Sequence, residues 1–241
     1  MKISDFQALT FDCYGTLIDW ETGILSALDA WAKNRGLGTS KGELLDAFGK
    51  FESKHQAATP DALYPEILAA VLRDIGVLFG AEASAEEQIA FGRSVQDWPA
   101  FPDSADALGY LKRHYKLVIV SNIDRESFRQ SNAKLEVEFD HIITAQDVGS
   151  YKPAPGHFDR MLADMKEKGI GKEQILHTAQ SLFHDHVPAK QYGLTTMWIN
   201  RPAAIDGSGA TPAPSGAVKP DFQVPSMAAM VELHKKELAA A

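Results

Sequence analysis

The 241-residue sequence predicts an α/β protein: a parallel sheet covered by helices on both faces, with a helical segment inserted after the first strand. Three observations carry that expectation. Short, continuously apolar runs alternate with helix-patterned segments, as strands buried on both faces require. One long interval has helical periodicity and no strand candidate. Polar residues able to do chemistry follow directly after several of the apolar runs.

The first strand is expected over 7–11, where Gln7-Ala8-Leu9-Thr10-Phe11 runs into a polar cluster. Further strands are expected over 117–121, 141–144, 174–178 and 194–199, with a weaker one over 221–224. Helical patterns fill 104–115, 126–135, 155–168 and 187–192 between them. The interval from Thr22 to Asp97 contains only helical patterns, at 24–34, 41–56, 62–72 and 85–91. Thr39 or Ser40 is expected to cap a helix start, and Gly36 and Gly76 to act as stops. Residues 202–220, rich in Pro, Gly, Ala and Ser, are expected to form an exposed loop.

Composition narrows the function classes. Hydrophobic residues make up 45% and charged residues 23%, enough for a sizeable core, and the formal net charge is −8. So acidic a chain, with no Lys/Arg cluster, is a poor partner for nucleic acid or an anionic membrane. A helix N-terminus can still hold one small anion. Cys13 is the single cysteine, so no internal disulfide can form. Residues 1–10 lack the basic and apolar regions of a signal peptide. The expectation is a cytoplasmic protein with a small anionic substrate, no nucleic-acid or membrane partner, and a homodimer left open.

Ligands of an open parallel sheet bind at the carboxyl ends of its strands. Asp12-Cys13-Tyr14-Gly15-Thr16 follows the first strand and Ser121-Asn122 ends the second. Tyr151-Lys152-Pro153 follows the third, and Gln180-Ser181 with Asp185 follows the fourth. A carboxylate, a hydroxyl set, a lysine and a second carboxylate would thus share one edge. Taken alone, Asp12 reads first as a helix cap or turn residue, and Lys152 can be read as a surface lysine before a proline turn. Asp185 reads either as a helix cap or as a group that handles water.

Taken together, Phe11-Asp12-x-Tyr14-Gly15-Thr16-Leu17, Ser121-Asn122, Tyr151-Lys152-Pro153 and Asp185 resemble, in order, the four motifs of the haloacid dehalogenase superfamily. The resemblance implies a Rossmann-like core of residues 1–18 and 99–241 with a helical cap at 19–98. It implies that Asp12 is a nucleophile forming a covalent intermediate. Lys152 would favour the ionised form of Asp12, and Thr16 would steady its carboxylate. Ser121 and the amides around Asn122, at a helix start, would hold an anionic group. Asp185 would orient or deprotonate water.

Most members of the superfamily are magnesium phosphatases, with a second Asp two positions after the nucleophile and a Gly-Asp-containing fourth motif. Here Tyr14 and Gln180 stand at those positions. Loss of a carboxylate weakens a site for Mg²⁺, which favours hard anionic oxygens, and halide leaves without the proton an alkoxide needs. Asp-x-Tyr-Gly-Thr and Trp198-Ile199-Asn200-Arg201 instead resemble the L-2-haloacid dehalogenase branch, which implies no metal and no cofactor. That branch's halide-binding arginine falls near Gly49, with Lys50 beside it, and its tyrosine six residues after the lysine is Phe158. Its Ser-Ser-Asn is Gln180-Ser181-Leu182. Tyr14, Ser181 and Trp20 complete the candidate substrate contacts, Trp20 either lining the pocket or bracing the cap. His184-Asp185-His186 is expected to pack rather than to bind metal.

Overall fold

A computed structural model describes residues 1–201 and 209–240. Six parallel strands form one sheet in the order β3-β2-β1-β4-β5-β6. They are β1 Ala8–Phe11, β2 Lys116–Ser121, β3 His141–Thr144, β4 Ile175–Ala179, β5 Thr195–Ile199 and β6 Phe222–Val224. All six expected strands are present, and the α/β Rossmann-like fold stands. β1 is central, paired with β2 through Leu9↔Leu117 and with β4 through Leu9↔Leu176.

The alternation of side chains along each strand separates two cores. Leu9, Phe11, Leu117 and Ile119 point into the larger one, which continues into the helices that follow β1. Ala8, Val118 and Val120 point into the smaller one, closed by Phe158, Met161 and Met165. Both faces are therefore buried, which explains why the strands read as unbroken apolar runs rather than as alternating patterns.

Between β1 and β2 lie α1 Trp20–Asn34, α2 Lys41–Ala58, α3 Tyr64–Leu78 and α4 Ala85–Gly92. Ser40 caps α2, its hydroxyl accepting from the Glu43 amide while Glu43 reaches back to the Ser40 amide. Gly36 lies just past the end of α1 with φ +67°, the left-handed turn that a stop requires. Gly76 does not stop a helix. It lies inside α3, where a Cβ would meet the Ala81 carbonyl oxygen at 2.7 Å, so close packing rather than termination selects glycine there. The chain enters and leaves this segment side by side: the Asp19 amide donates to the Pro99 carbonyl at 2.8 Å and the Phe101 amide to Leu17 at 3.0 Å.

The remaining helices are α5 Ser104–Leu111, α6 Arg125–Asn132, α7 Ala145–Val148, α8 Gly156–Glu167, α9 Val187–Gln191 and α10 Met227–Ala239. Sequence reasoning missed α10, although Met227, Met230, Val231 and His234 are buried at helical spacing and Ser226 caps it. Of the loop expected at 202–220, residues 202–208 lie outside the described residues, and 209–220 are irregular. That stretch is not wholly exposed, since Ala210 is buried against α2. Among the described residues no helix is long and apolar enough to cross a membrane.

Candidate active site

The carboxyl ends of β1, β2 and β4 open into a cavity of about 40 Å³, small enough to suit a short ligand. Asp12, Ser121, Asn122, Lys152, Ser181, His184 and Asp185 line it from the sheet side. Tyr14 lines it from the loop after β1, Trp20, Glu52, Gln56 and Tyr64 from the helical segment, and Thr211 from the loop before β6.

Asp12 is held on both oxygens. The Thr16 hydroxyl donates to Oδ2 at 3.0 Å and the Lys152 ammonium to Oδ1 at 3.0 Å. Thr16 is itself fixed, accepting from the Gln180 amide at 3.0 Å. Lys152, buried to 2% exposure, also donates to the Val120 carbonyl at 2.8 Å and to Asp185 Oδ1 at 2.6 Å. All three ammonium protons are thus used. Asp185 Oδ1 is further bonded to His177 Nε2 at 3.1 Å, and His177 Nδ1 to the Thr10 hydroxyl at 2.8 Å. Asp185 Oδ2 is buried and, among the described residues, has no partner.

Two carboxylates sharing one ammonium do not titrate alike. Burial raises the Asp12 carboxyl above its ordinary value; Lys152 works against this and the Asp185 charge reinforces it. Burial also pushes Asp185 up, but there Lys152 and His177 outweigh it and hold that carboxyl below the usual range. For Lys152, burial alone would lower the ammonium, and the two carboxylates more than reverse it. Asp12 is therefore the more basic of the pair, a property that favours attack on an electrophile. Lys152 favours the ionised form of Asp12, as expected, but burial is the larger influence.

Other expected contacts are placed differently from one another. Ser121 is fully buried and lines the cavity, and among the described residues its hydroxyl has no partner. Asn122 spends its side chain on the lysine loop, donating to the Lys152 carbonyl at 3.0 Å and accepting from the Lys152 amide at 2.6 Å. The amides after Asn122 do not begin a helix. Ile123 bonds back to Ser121, and α6 starts later, capped by the Asp124 carboxylate, which accepts from Ser127 at 3.0 Å. The expectation that those amides open a helix is thereby corrected: the helix begins at Arg125 and Asp124 caps it. Tyr14 presents its ring to the cavity, while its hydroxyl pairs with Ser131 at 2.8 Å. Ser181 caps the turn that carries Asp185, accepting from the His184 amide at 3.0 Å.

Trp20 lines the cavity and packs edge-on against Phe48, ring centroids 5.8 Å apart. Phe158 is buried in the smaller core against His177, so no hydroxyl stands there. Cys13 lies buried beside Asp12, its thiol pushed up first by burial and then by that carboxylate. His184 lines the cavity, held neutral by burial with its pKa at about 4; His186 bonds the Ala179 carbonyl at 3.0 Å.

The donor set does not fit a magnesium ion. The Lys152 ammonium fills the space between Asp12 and Asp185, and a neutral Gln180 stands where a third carboxylate would be needed. Among the described residues no group of three His, Cys, Asp or Glu side chains is placed to hold a metal.

Sequence reasoning missed Glu52, Gln56, Tyr64, Thr211 and His177. His177 was detectable as a lone titratable side chain in an otherwise apolar strand. The other four come from the helical segment and the loop, where no local pattern marks which residues face a cavity.

The fold and this edge define an α/β enzyme with a carboxylate-centred pocket. Residues 6–178 match the model of the haloacid dehalogenase-like hydrolases, and the chain belongs to that family of hydrolases. Over 246 residues, 94% of each chain, it is 28% identical to an (S)-2-haloacid dehalogenase of Pseudomonas sp. (strain YL). Over 139 residues, 55% of this chain and 56% of the relative, it is 34% identical to haloacetate dehalogenase H-2 of Moraxella sp. (strain B). The structure of L-2-haloacid dehalogenase from Xanthobacter autotrophicus shares the fold with a TM-score of 0.77 at 20% identity, covering 95% of this chain and 98% of that one.

Proposed function

We propose that this chain is a hydrolytic dehalogenase of short 2-haloalkanoic acids, with residues 19–98 acting as a cap over the sheet edge. The observation that carries the reading is Asp12: a buried carboxylate on the cavity floor, fixed on both oxygens, in a donor set unsuited to Mg²⁺. The relatives' activities and the small cavity support the substrate class.

An Asp12 oxygen attacks C2 and the carbon–halogen bond breaks, its electron pair leaving with the halide. Water then attacks the carbonyl carbon of the aspartyl ester, releasing the 2-hydroxy acid, the Asp12 carboxylate and a proton. Lys152 offsets part of the charge of Asp12 and Asp185 while both are buried. The Ser121 hydroxyl, with no protein partner, binds the substrate carboxylate. Asp185, with Oδ2 unpartnered, orients the water; its low basicity suits orientation better than proton removal.

The test compares halide release from haloacetates and 2-halopropionates with phosphate release from small phosphate esters, each with and without Mg²⁺. Halide release unaffected by chelator, with an ester mass on the Asp12 peptide, is the expected result. Asp12→Asn should stay folded and lose turnover by at least about a thousandfold, because an amide is a far poorer nucleophile. Phosphate turnover abolished by chelator, with no halide release, would overturn the reading.

A further inference from the structure

In-line displacement sends the departing group away from the attacking oxygen, so whatever leaves C2 moves from Asp12 toward the helical segment. That wall carries Trp20, Glu52, Gln56 and Tyr64, and among the described residues it offers no cation. The pocket's ammonium, Lys152, is on the Asp12 side with all three protons committed. Lys50 is exposed, over the ring of Phe51 rather than in the cavity. An anion leaving here must be met by something other than a positive charge.

Glu52 is the titratable acid of that wall. It is buried to 4% exposure in the cavity wall, and the Tyr64 hydroxyl donates to its Oε1 at 2.6 Å. Tyr64 thereby fixes the side chain and leaves Oε2 as the oxygen able to carry a proton. The other titratable groups lining this cavity are Asp12, Tyr14, Lys152, His184 and Asp185, and Tyr151 lies close enough to feel the Glu52 charge. None of them forms an ion pair with Glu52; burial and the Tyr64 bond are what act on it. Burial pushes its carboxyl up to about 7, so the acid form persists near neutrality.

We propose that the Glu52 carboxyl is the hydrogen-bond donor to the departing group, and that it directs the site toward fluoride, the halide that accepts a hydrogen bond most strongly. The inference rests on Asp12 being the attacking carboxylate. As the Asp12–C2 bond forms and the carbon–fluorine bond breaks, the electron pair leaves on fluoride, and the Glu52 proton is shared with it without net transfer. Above neutrality Glu52 is a carboxylate, which donates nothing and repels both the substrate carboxylate and the departing anion. For bromide, a poor acceptor and a good leaving group, the donor matters far less.

Glu52→Gln and Glu52→Leu separate this role from a structural one. Tyr64 directs the amide oxygen of Glu52→Gln to the Oε1 place, leaving the NH₂ as a donor at every pH. Fluoride release from 2-fluoropropionate by the wild-type enzyme should fall roughly ten- to hundredfold between about pH 6 and about pH 9, the value of a hydrogen bond to a charged group. Glu52→Gln should lose that decline. Glu52→Leu should lower fluoride release tenfold or more relative to bromide release from 2-bromopropionate. Equal losses on the two substrates, or an unchanged decline in Glu52→Gln, overturn the proposal. Fluoride binding by calorimetry supplies a readout independent of turnover. Binding that weakens as pH rises through about 7 in the wild type but not in Glu52→Gln supports the donor. Binding indifferent to both refutes it. Such binding without any halide release would leave the donor standing and sink the proposed function instead.

Discussion

Gly49 of α2 packs directly against the backbone carbonyl of Ala210, with no room for a methyl group between them. The loop before β6 therefore presses on the helical segment at the position where the resemblance places a halide-binding arginine. The Ala210 amide also donates to Glu21 of α1 at 2.7 Å, and the next residue, Thr211, lines the cavity. In this chain a strap of backbone occupies the space that a long cationic side chain would need.

Restoring the arginine should therefore fail. Gly49→Ala is expected to cost about 1–3 kcal/mol through overpacking, measured by urea unfolding. Gly49→Arg should lower stability further without improving halide release. A Gly49→Arg variant that stayed as stable as wild type and bound chloride more tightly would show that the strap yields freely.

The contrast between the two halves of the pocket shows what the sequence could reveal. Asp12, Thr16, Lys152 and Asp185 follow parallel strands and Ser121 ends one, and parallel pairing delivers them to one edge whatever the intervening segments do. Their convergence was legible because it needs only strand order and direction. Glu52 and Tyr64 meet twelve residues apart across a helix–helix contact, and Ala210 reaches Gly49 across 161 positions. Such meetings depend on packing angles, which leave no local pattern. Gly76 misled for a related reason: a glycine chosen for close approach looks the same in sequence as one chosen for a turn.

Ser121→Ala offers a clean separation of folding from binding. The hydroxyl is buried with no partner among the described residues, so its removal relieves an unsatisfied polar group rather than breaking a bond. Stability should be unchanged or slightly higher, by up to about 1 kcal/mol. If that hydroxyl holds the substrate carboxylate, KM should rise roughly tenfold with little change in kcat. A variant that lost stability and kept its KM would show that the hydroxyl serves the fold.

The pH dependence of stability gives an independent view of Glu52. Its folded pKa is about 7 against an ordinary 4.5, so the folded protein holds a proton that the unfolded chain has released. A raised pKa contributes stability that is present below the unfolded value and lost as pH rises through the folded one. Glu52→Gln, which keeps the shape and cannot ionise, should match wild type near pH 4.5 and exceed it above pH 7, by at most about 3 kcal/mol. Thermal melts of the two proteins across that range check the sign. Parallel curves would mean that Glu52 titrates as it does in water.

Lys152→Met tests the buried triad from the opposite side. Methionine fills the same space but removes the ammonium that Asp12 and Asp185 share, leaving Asp185 its bond to His177. Breaking a buried pair by removing one partner costs about 3–5 kcal/mol near neutral pH, because the surviving charges remain desolvated. Without the ammonium nothing but Thr16 opposes the effect of burial on Asp12, which titrates further above its unfolded value, so the deficit should shrink as pH falls and Asp12 takes up a proton. Urea unfolding at about pH 7 and about pH 4 should thus show a large loss and then a smaller one. A deficit that stayed constant with pH would mean that Lys152 acts through packing alone, and that the charge balance drawn around Asp12 is wrong.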